Sequence, residues 1–136
     1  MKIENDKYYT PVDLAKYCIG KTFEIIGKEN ITDIIEPSAG NGSFSNQLDC
    51  TAYDLYPEGD NIIKQDYLKL DLPYKKGRLI IGNPPYGTAN NLSVQFYFLR
   101  CNPTHKWQYH NCNQMVLFYH LFFYDNPLFQ HLLIYN

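Results

Sequence analysis

Apolar residues recur at Ala15, Cys18, Ile19, Phe23 and Ile26, the three-and-four spacing of one helical face, and predict a helix early in the chain. Thr10, Pro11 and Asp13 give it a start: a hydroxyl to cap free amides, a proline in the first turn and an acid facing the positive helix end. Gly27 offers a stop, and Gly20 weakens the middle. The pattern then changes. Ile31 to Glu36 is a short β-branched run that ends at Pro37 and a loop rich in Gly, Ser and Asn, as a buried parallel strand does when it empties into a ligand-binding loop. A helix is expected from Ser43 to Leu48, strands over Thr51 to Leu55 and Arg78 to Gly82, and a weaker strand around Ile62 and Ile63. Strands separated by loops and helices imply an α/β fold with an open, mostly parallel sheet.

Near residue 92 the character of the chain breaks. Of its 26 Asp, Glu, Lys and Arg residues only Arg100, Lys106 and Asp125 lie beyond Leu92, whereas all four histidines (His105, His110, His120, His131) do. Past that point Phe, Tyr, Asn, His, Cys and Leu mix with no sustained period of 2 or 3.6. Three origins fit: a buried segment of the same fold, an unusual interaction tail, or translation out of frame. Charge is lost without any gain in amphipathic pattern, which favours the third.

Composition narrows the class. A length of 136 residues with 45% hydrophobic positions suits one domain, and no Pro/Gly/Ser-rich linker divides it. The net charge of −2 and a pI near 6.0 carry no basic field of the kind that grips nucleic acid non-specifically, so any such grip is local or supplied elsewhere. The amino terminus has no apolar signal core, and the longest apolar stretch, Met115 to Tyr124, is interrupted by His120 and too short to span a bilayer. A soluble, cytoplasmic protein is expected, with no membrane partner. Cys18, Cys50, Cys101 and Cys112 form no CxxC pair, and His105 and His110 are five apart with no accompanying acid, so neither a metal site nor a disulfide framework is expected.

The loop from Glu36 to Phe44 (EPSAGNGSF) lies between a predicted strand and a predicted helix, where ligands of open α/β sheets bind. Gly40 and Gly42 let backbone approach a ligand, and Glu36 at the strand end suits a cationic amine. Eighteen residues on, Asp54 ends the next strand, where an acid accepts from a ribose diol. The pattern points to an adenosine carrying an amino-acid moiety. A glycine pair alone would equally be a plain turn. A phosphate loop is excluded because the Lys-Ser/Thr ending is missing and Glu36 would repel a triphosphate.

Asn83-Pro84-Pro85-Tyr86 directly follows the apolar strand, at the same sheet edge. The exocyclic amine of adenine is a poor nucleophile because its lone pair is delocalised into the ring. The Asn83 side-chain oxygen and the Pro84 carbonyl can accept its two N–H bonds and localise that pair. Pro84 and Pro85 remove donors and fix φ, and Tyr86 can stack on a base drawn out of a duplex. Asn-Pro-Pro is also a common turn, and Tyr86 is one of 13 tyrosines.

Taken in order, these motifs resemble the gamma-class adenine-N6 DNA methyltransferases. Tyr8-Tyr9-Thr10-Pro11 is similar to that family's amino-terminal motif, which implies that Thr10 lies near the methionine carboxylate of S-adenosylmethionine. Glu36, Pro37, Ala39, Gly40 and Gly42 fall in its cofactor loop. Asp54 and Leu55 resemble the ribose-binding acid and the apolar residue on the cofactor adenine; Asp66 and Tyr67 resemble the acid that accepts from the adenine amine and its aromatic neighbour. Asn83 to Tyr86 match the catalytic motif.

The resemblance covers about residues 8 to 96. It implies an incomplete Rossmann-like methyltransferase fold: residues 1–92 would be the amino-terminal part of a catalytic domain and residues 93–136 an atypical tail. The family's later strands and its target-recognition domain have no counterpart here, so a partner chain could supply the recognition of DNA. Such enzymes usually serve restriction-modification systems. Other outcomes stay open: an inactive remnant or cofactor-binding-only protein, and a methyltransferase acting on RNA or on protein glutamine. Tyr8 to Pro11 argues for DNA.

Overall fold

The structure, a computed structural model, describes residues 9–73, 75–85, 92, 95–96 and the strand backbone at 115–118. Helix α1 (Val12–Ile26) opens the described chain, followed by strands β1 (Asp33–Glu36), β2 (Thr51–Asp54), β3 (Ile62–Lys64), β4 (Arg78–Gly82) and β5 (Met115–Phe118). These strands form one sheet in the order β3-β2-β1-β4-β5, and each neighbouring pair runs parallel.

Helix α1 buries Ala15, Cys18, Ile19 and Thr22, the face that its apolar spacing predicts. Its start differs from the expectation. Pro11 is the N-cap residue, its carbonyl accepts from the Ala15 amide at 2.9 Å, and no side chain caps the helix. Thr10 is therefore not the cap: its hydroxyl is engaged elsewhere, at the end of β4. Gly27 stops the helix in the left-handed region (φ 79°) while its amide still donates to Phe23 O at 3.0 Å. Gly20 is exposed, with open space where a Cβ would stand.

The core forms two layers, and β4 belongs to both. Leu79 and Ile81 pack with Ala15, Cys18, Ile19 and Phe44 on the helix side, whereas Ile80 joins Ile35, Tyr67 and Phe96 on the other. Alternation of side chains across a strand produces this division, and a centre strand covered on both faces reads as continuous Leu-Ile-Ile. Each of these three side chains is fully buried, which stabilises by about 1.5–3 kcal/mol per residue. At the base of the sheet Arg78 Nε donates to Asp33 Oδ2 at 3.1 Å, and Arg78 Nη1 donates to Pro73 O at 2.8 Å. A buried guanidinium is thus paired rather than stranded.

Two sequence expectations change. Ser43 to Leu48 does not become a helix. The chain turns over Asn41 to Phe44 and makes only a 3-10 turn at Ser45–Gln47. Gly40 (φ 55°) and Gly42 (φ 87°) direct the loop, and Leu48 is already extended to reach β2, which leaves no length for an α-helical nucleus. Strand β1 also begins two residues later than Ile31, because Thr32 is tied by its amide to Gly77 O (2.8 Å) and by its hydroxyl to Lys76 O (3.0 Å). Met115–Phe118 pairs with β4 from Leu79↔Met115 to Gly82↔Phe118, within a stretch where periodicity indicated no element.

Candidate active site

Because the strands run parallel, the ends of β1, β2, β3 and β4 share one edge of the sheet. Strand order reverses between β1 and β4, the switch point at which a crevice opens for ligands. Glu36 stands there, 2% exposed. A Cβ on neighbouring Gly82 would stand 3.4 Å from Glu36 Cγ, in ordinary van der Waals contact.

Burial pushes the Glu36 carboxyl up to about 7; Ser45 opposes this through its hydroxyl and amide, and the charge of Asp54 adds to it. Glu36 Oε2 and Ser45 Oγ nevertheless close no hydrogen bond, and both are buried. An acceptor in that condition fits a cationic amine, which would supply the missing donor and counter-charge. Nearby Cys50 is pushed up to about 12 by burial and by the charges of Glu36 and Asp49, so its sulfur stays a thiol and not a nucleophilic thiolate.

Asp54 organises the loop. Its Oδ2 accepts from the Gly40 amide and its Oδ1 from the Tyr56 amide, both at 2.7 Å. Ala39 N donates to Tyr53 O at 2.9 Å and Glu58 N to Gly40 O at 2.9 Å, which closes the loop against the end of β2. Each carboxylate oxygen retains acceptor capacity for a diol. Leu55, 48% exposed, offers an apolar surface beside it. Pro37 and Ala39 are buried under the loop.

Asp66 caps the 3-10 turn Tyr67–Lys69 by accepting from Leu68 N at 3.1 Å, and it faces Lys69 Nζ at 3.4 Å. Tyr67 is buried and stacked on Phe96, ring centroids 5.5 Å apart, so it supports the edge from within the core and presents almost no surface to a ligand.

At the end of β4, Asn83 is half-buried, Pro84 buried and Pro85 exposed; Tyr86 lies outside the described residues. Asn83 Nδ2 donates to Thr10 Oγ1 at 3.3 Å, and Ser38 Oγ donates to the Asn83 carbonyl at 3.2 Å. Ser38 is the residue that motif reading passed over, since a serine inside a loop carries no periodic signal. The structure therefore brings Thr10, Glu36, Asp54 and Asn83 to one edge, with Asp66 following β3 beside them. The four histidines lie outside the described residues, and among the described residues no group of His, Cys, Asp and Glu could hold a metal ion. No helix among them is long and apolar enough to cross a membrane.

A parallel sheet in this order, with its glycine loop after β1 and Asn-Pro-Pro after β4, is an α/β architecture consistent with an incomplete Rossmann-like methyltransferase fold. The chain is homologous to two curated proteins of Haemophilus influenzae, Type II methyltransferase M.HincII and, in strain Rd, Type II methyltransferase M.HindII. In each case 32% of residues are identical over 133 positions, covering 89% of this chain and 24% of the relative. The chain thus spans about a quarter of the length of the relatives it matches. No family model matches the chain, and no solved structure does.

Proposed function

We propose that the chain is the cofactor-binding and catalytic-motif portion of a restriction-modification DNA methyltransferase that methylates adenine at N6. The observation that carries this reading is the meeting of the Glu36 loop, Asp54 and Asn83 at the β1/β4 switch point. The homology to Type II methyltransferases supports the same reaction class.

S-adenosylmethionine supplies an electrophilic methyl group when bound. Its fit rests on the buried, unpartnered Glu36 oxygen for an amine, the positive-φ glycines 40 and 42 for close backbone approach, and Asp54 with Leu55 for a ribose and adenine. Thr10 near the methionine carboxylate and Asp66 near the adenine amine complete the proposed set. Asn83 Oδ1 and the Pro84 carbonyl would accept from the target amine and localise its lone pair, Pro85 would stiffen the turn, and Tyr86 would stack on the base. The chemistry is a direct displacement that requires no metal and no covalent enzyme intermediate.

DNA recognition would come from outside these 136 residues, in further chain or a partner subunit, in keeping with a net charge of −2. The in-register pairing of Met115–Phe118 with β4 supports a continuation of the fold at that strand. A second reading is a chain that binds cofactor without turnover. Calorimetric titration with S-adenosylmethionine, followed by a tritiated-methyl assay on DNA, RNA and protein, separates the cases. Absent binding defeats both readings, binding without transfer leaves the second, and label in RNA or protein alone replaces the acceptor.

A further inference from the structure

We infer that Thr10 and Ser38 are positioning residues: two hydroxyls, one from the segment before α1 and one from the loop after β1, clamp Asn83 and fix its acceptor geometry. The inference rests on the reading of Asn83 as the group that accepts from the target amine. A side-chain amide can present either its oxygen or its nitrogen to a given direction, and only one orientation serves an incoming N–H donor. With Nδ2 committed to Thr10 Oγ1 at 3.3 Å, the planar amide turns Oδ1 away from Thr10. Thr10 is itself 6% exposed and immediately precedes the Pro11 cap of α1, so the acceptor stands on the rigid helix start.

Ser38 acts on the other half of the residue. Its hydroxyl donates to the Asn83 backbone carbonyl at 3.2 Å and so sets the plane of the Asn83–Pro84 peptide. Pro84 has no amide hydrogen with which to orient that peptide, which leaves the Ser38 bond as a direct restraint on it. Ser38 also lies two residues from Gly40, whose amide is held by Asp54. The clamp thereby ties the proposed acceptor to the proposed cofactor loop through covalent chain and hydrogen bonds.

The test uses the full 136-residue chain labelled with nitrogen-15 and carbon-13. In the wild-type chain the Asn83 side-chain amide protons should exchange with water more slowly than a free amide. Thr10→Val should speed that exchange about tenfold, the scale of one hydrogen bond, and Thr10→Ser should restore it. Ser38→Ala should shift the Asn83 carbonyl carbon resonance while leaving the side-chain exchange slow. Free-amide exchange in the wild-type chain overturns the clamp without any variant having to fold, as does unchanged exchange in Thr10→Val. A loss of S-adenosylmethionine affinity in Thr10→Val with Asn83 exchange unchanged makes Thr10 a ligand contact and also overturns it. Where wild-type methyl transfer is measured, Thr10→Val should lower kcat at saturating cofactor and Thr10→Ser should recover it. If the wild-type chain binds no S-adenosylmethionine, the proposed function fails, and the exchange measurements still decide the clamp.

Discussion

Asn83 Nδ2 reaches Thr10 Oγ1 across 73 positions of sequence, joining the residue before helix α1 to the end of the central strand. Asn83→Ala removes this bond together with the side-chain oxygen proposed to accept from the target amine. Methyl transfer to adenine in DNA should fall by about 100-fold or more, the scale of one lost transition-state hydrogen-bonding group. Calorimetric S-adenosylmethionine affinity should be unchanged, and methylation that survives the substitution would contradict the assigned role.

Glu36 should make both stability and the proposed ligand binding depend on pH. Its carboxyl is raised from 4.5 to about 7, so its contribution to stability is complete below the unfolded value and is lost as pH rises through about 7. Glu36→Gln should therefore gain stability over wild type between pH ~5 and ~8, by up to the order of 3 kcal/mol, in urea melts across that range. A cationic amine favours the ionised carboxylate. Cofactor affinity should rise as pH climbs through about 7, with proton release seen by calorimetry in buffers of different ionisation enthalpy, and Glu36→Gln should remove both effects.

Asp54 holds the loop before it holds any ligand. Asp54→Ala removes the acceptor of the part-buried Gly40 amide and of the exposed Tyr56 amide, and should destabilise the chain by about 1 kcal/mol or more in a urea melt. Amide exchange at Gly40 and Tyr56 should accelerate in the same variant. Protection retained at both amides would show that the loop is shaped by other bonds.

Glycine substitutions should separate by backbone geometry. A Cβ at Gly42 (φ 87°) would stand 2.7 Å from Asn46 Nδ2, whereas one at Gly20 meets nothing within 4 Å in the middle of α1. Gly42→Ala is expected to cost about 1 kcal/mol or more, while Gly20→Ala should stabilise by about 0.5–1 kcal/mol. Opposite shifts of the thermal midpoint check the pair, and shifts of the same sign would refute the contrast.

The elements easiest to read from sequence were those whose burial imposes a regular pattern. Leu79, Ile80 and Ile81 face core on both sides of the sheet, so Arg78–Gly82 stands out with its true limits; α1 buries one stripe and shows its period. Ser43 to Leu48 misled because a single buried Phe44 and a suitable length do not make a helix when Gly42 turns the chain and the next strand is three residues away. Thr10 carried a capping signature, yet its hydroxyl found a partner 73 residues on, which local spacing cannot encode. The two amides on Asp54 and the hydroxyl of Ser38 were hidden for the same reason: they are long-range bonds made by residues that also suit an ordinary loop.

Strands β1 and β4 pair along their length, and the two ends of the pair differ in kind. At one end Arg78 and Asp33 neutralise each other and bind the sheet to the chain before it. At the other, burial raises the Glu36 carboxyl to about 7, beside Gly82 at the end of β4. Hardening and chemistry are therefore separable along the same two strands. The base can be reinforced by substitution to raise thermal tolerance with the carboxyl edge left untouched, which makes this short sheet a scaffold on which altered ligand preference could be installed one end at a time.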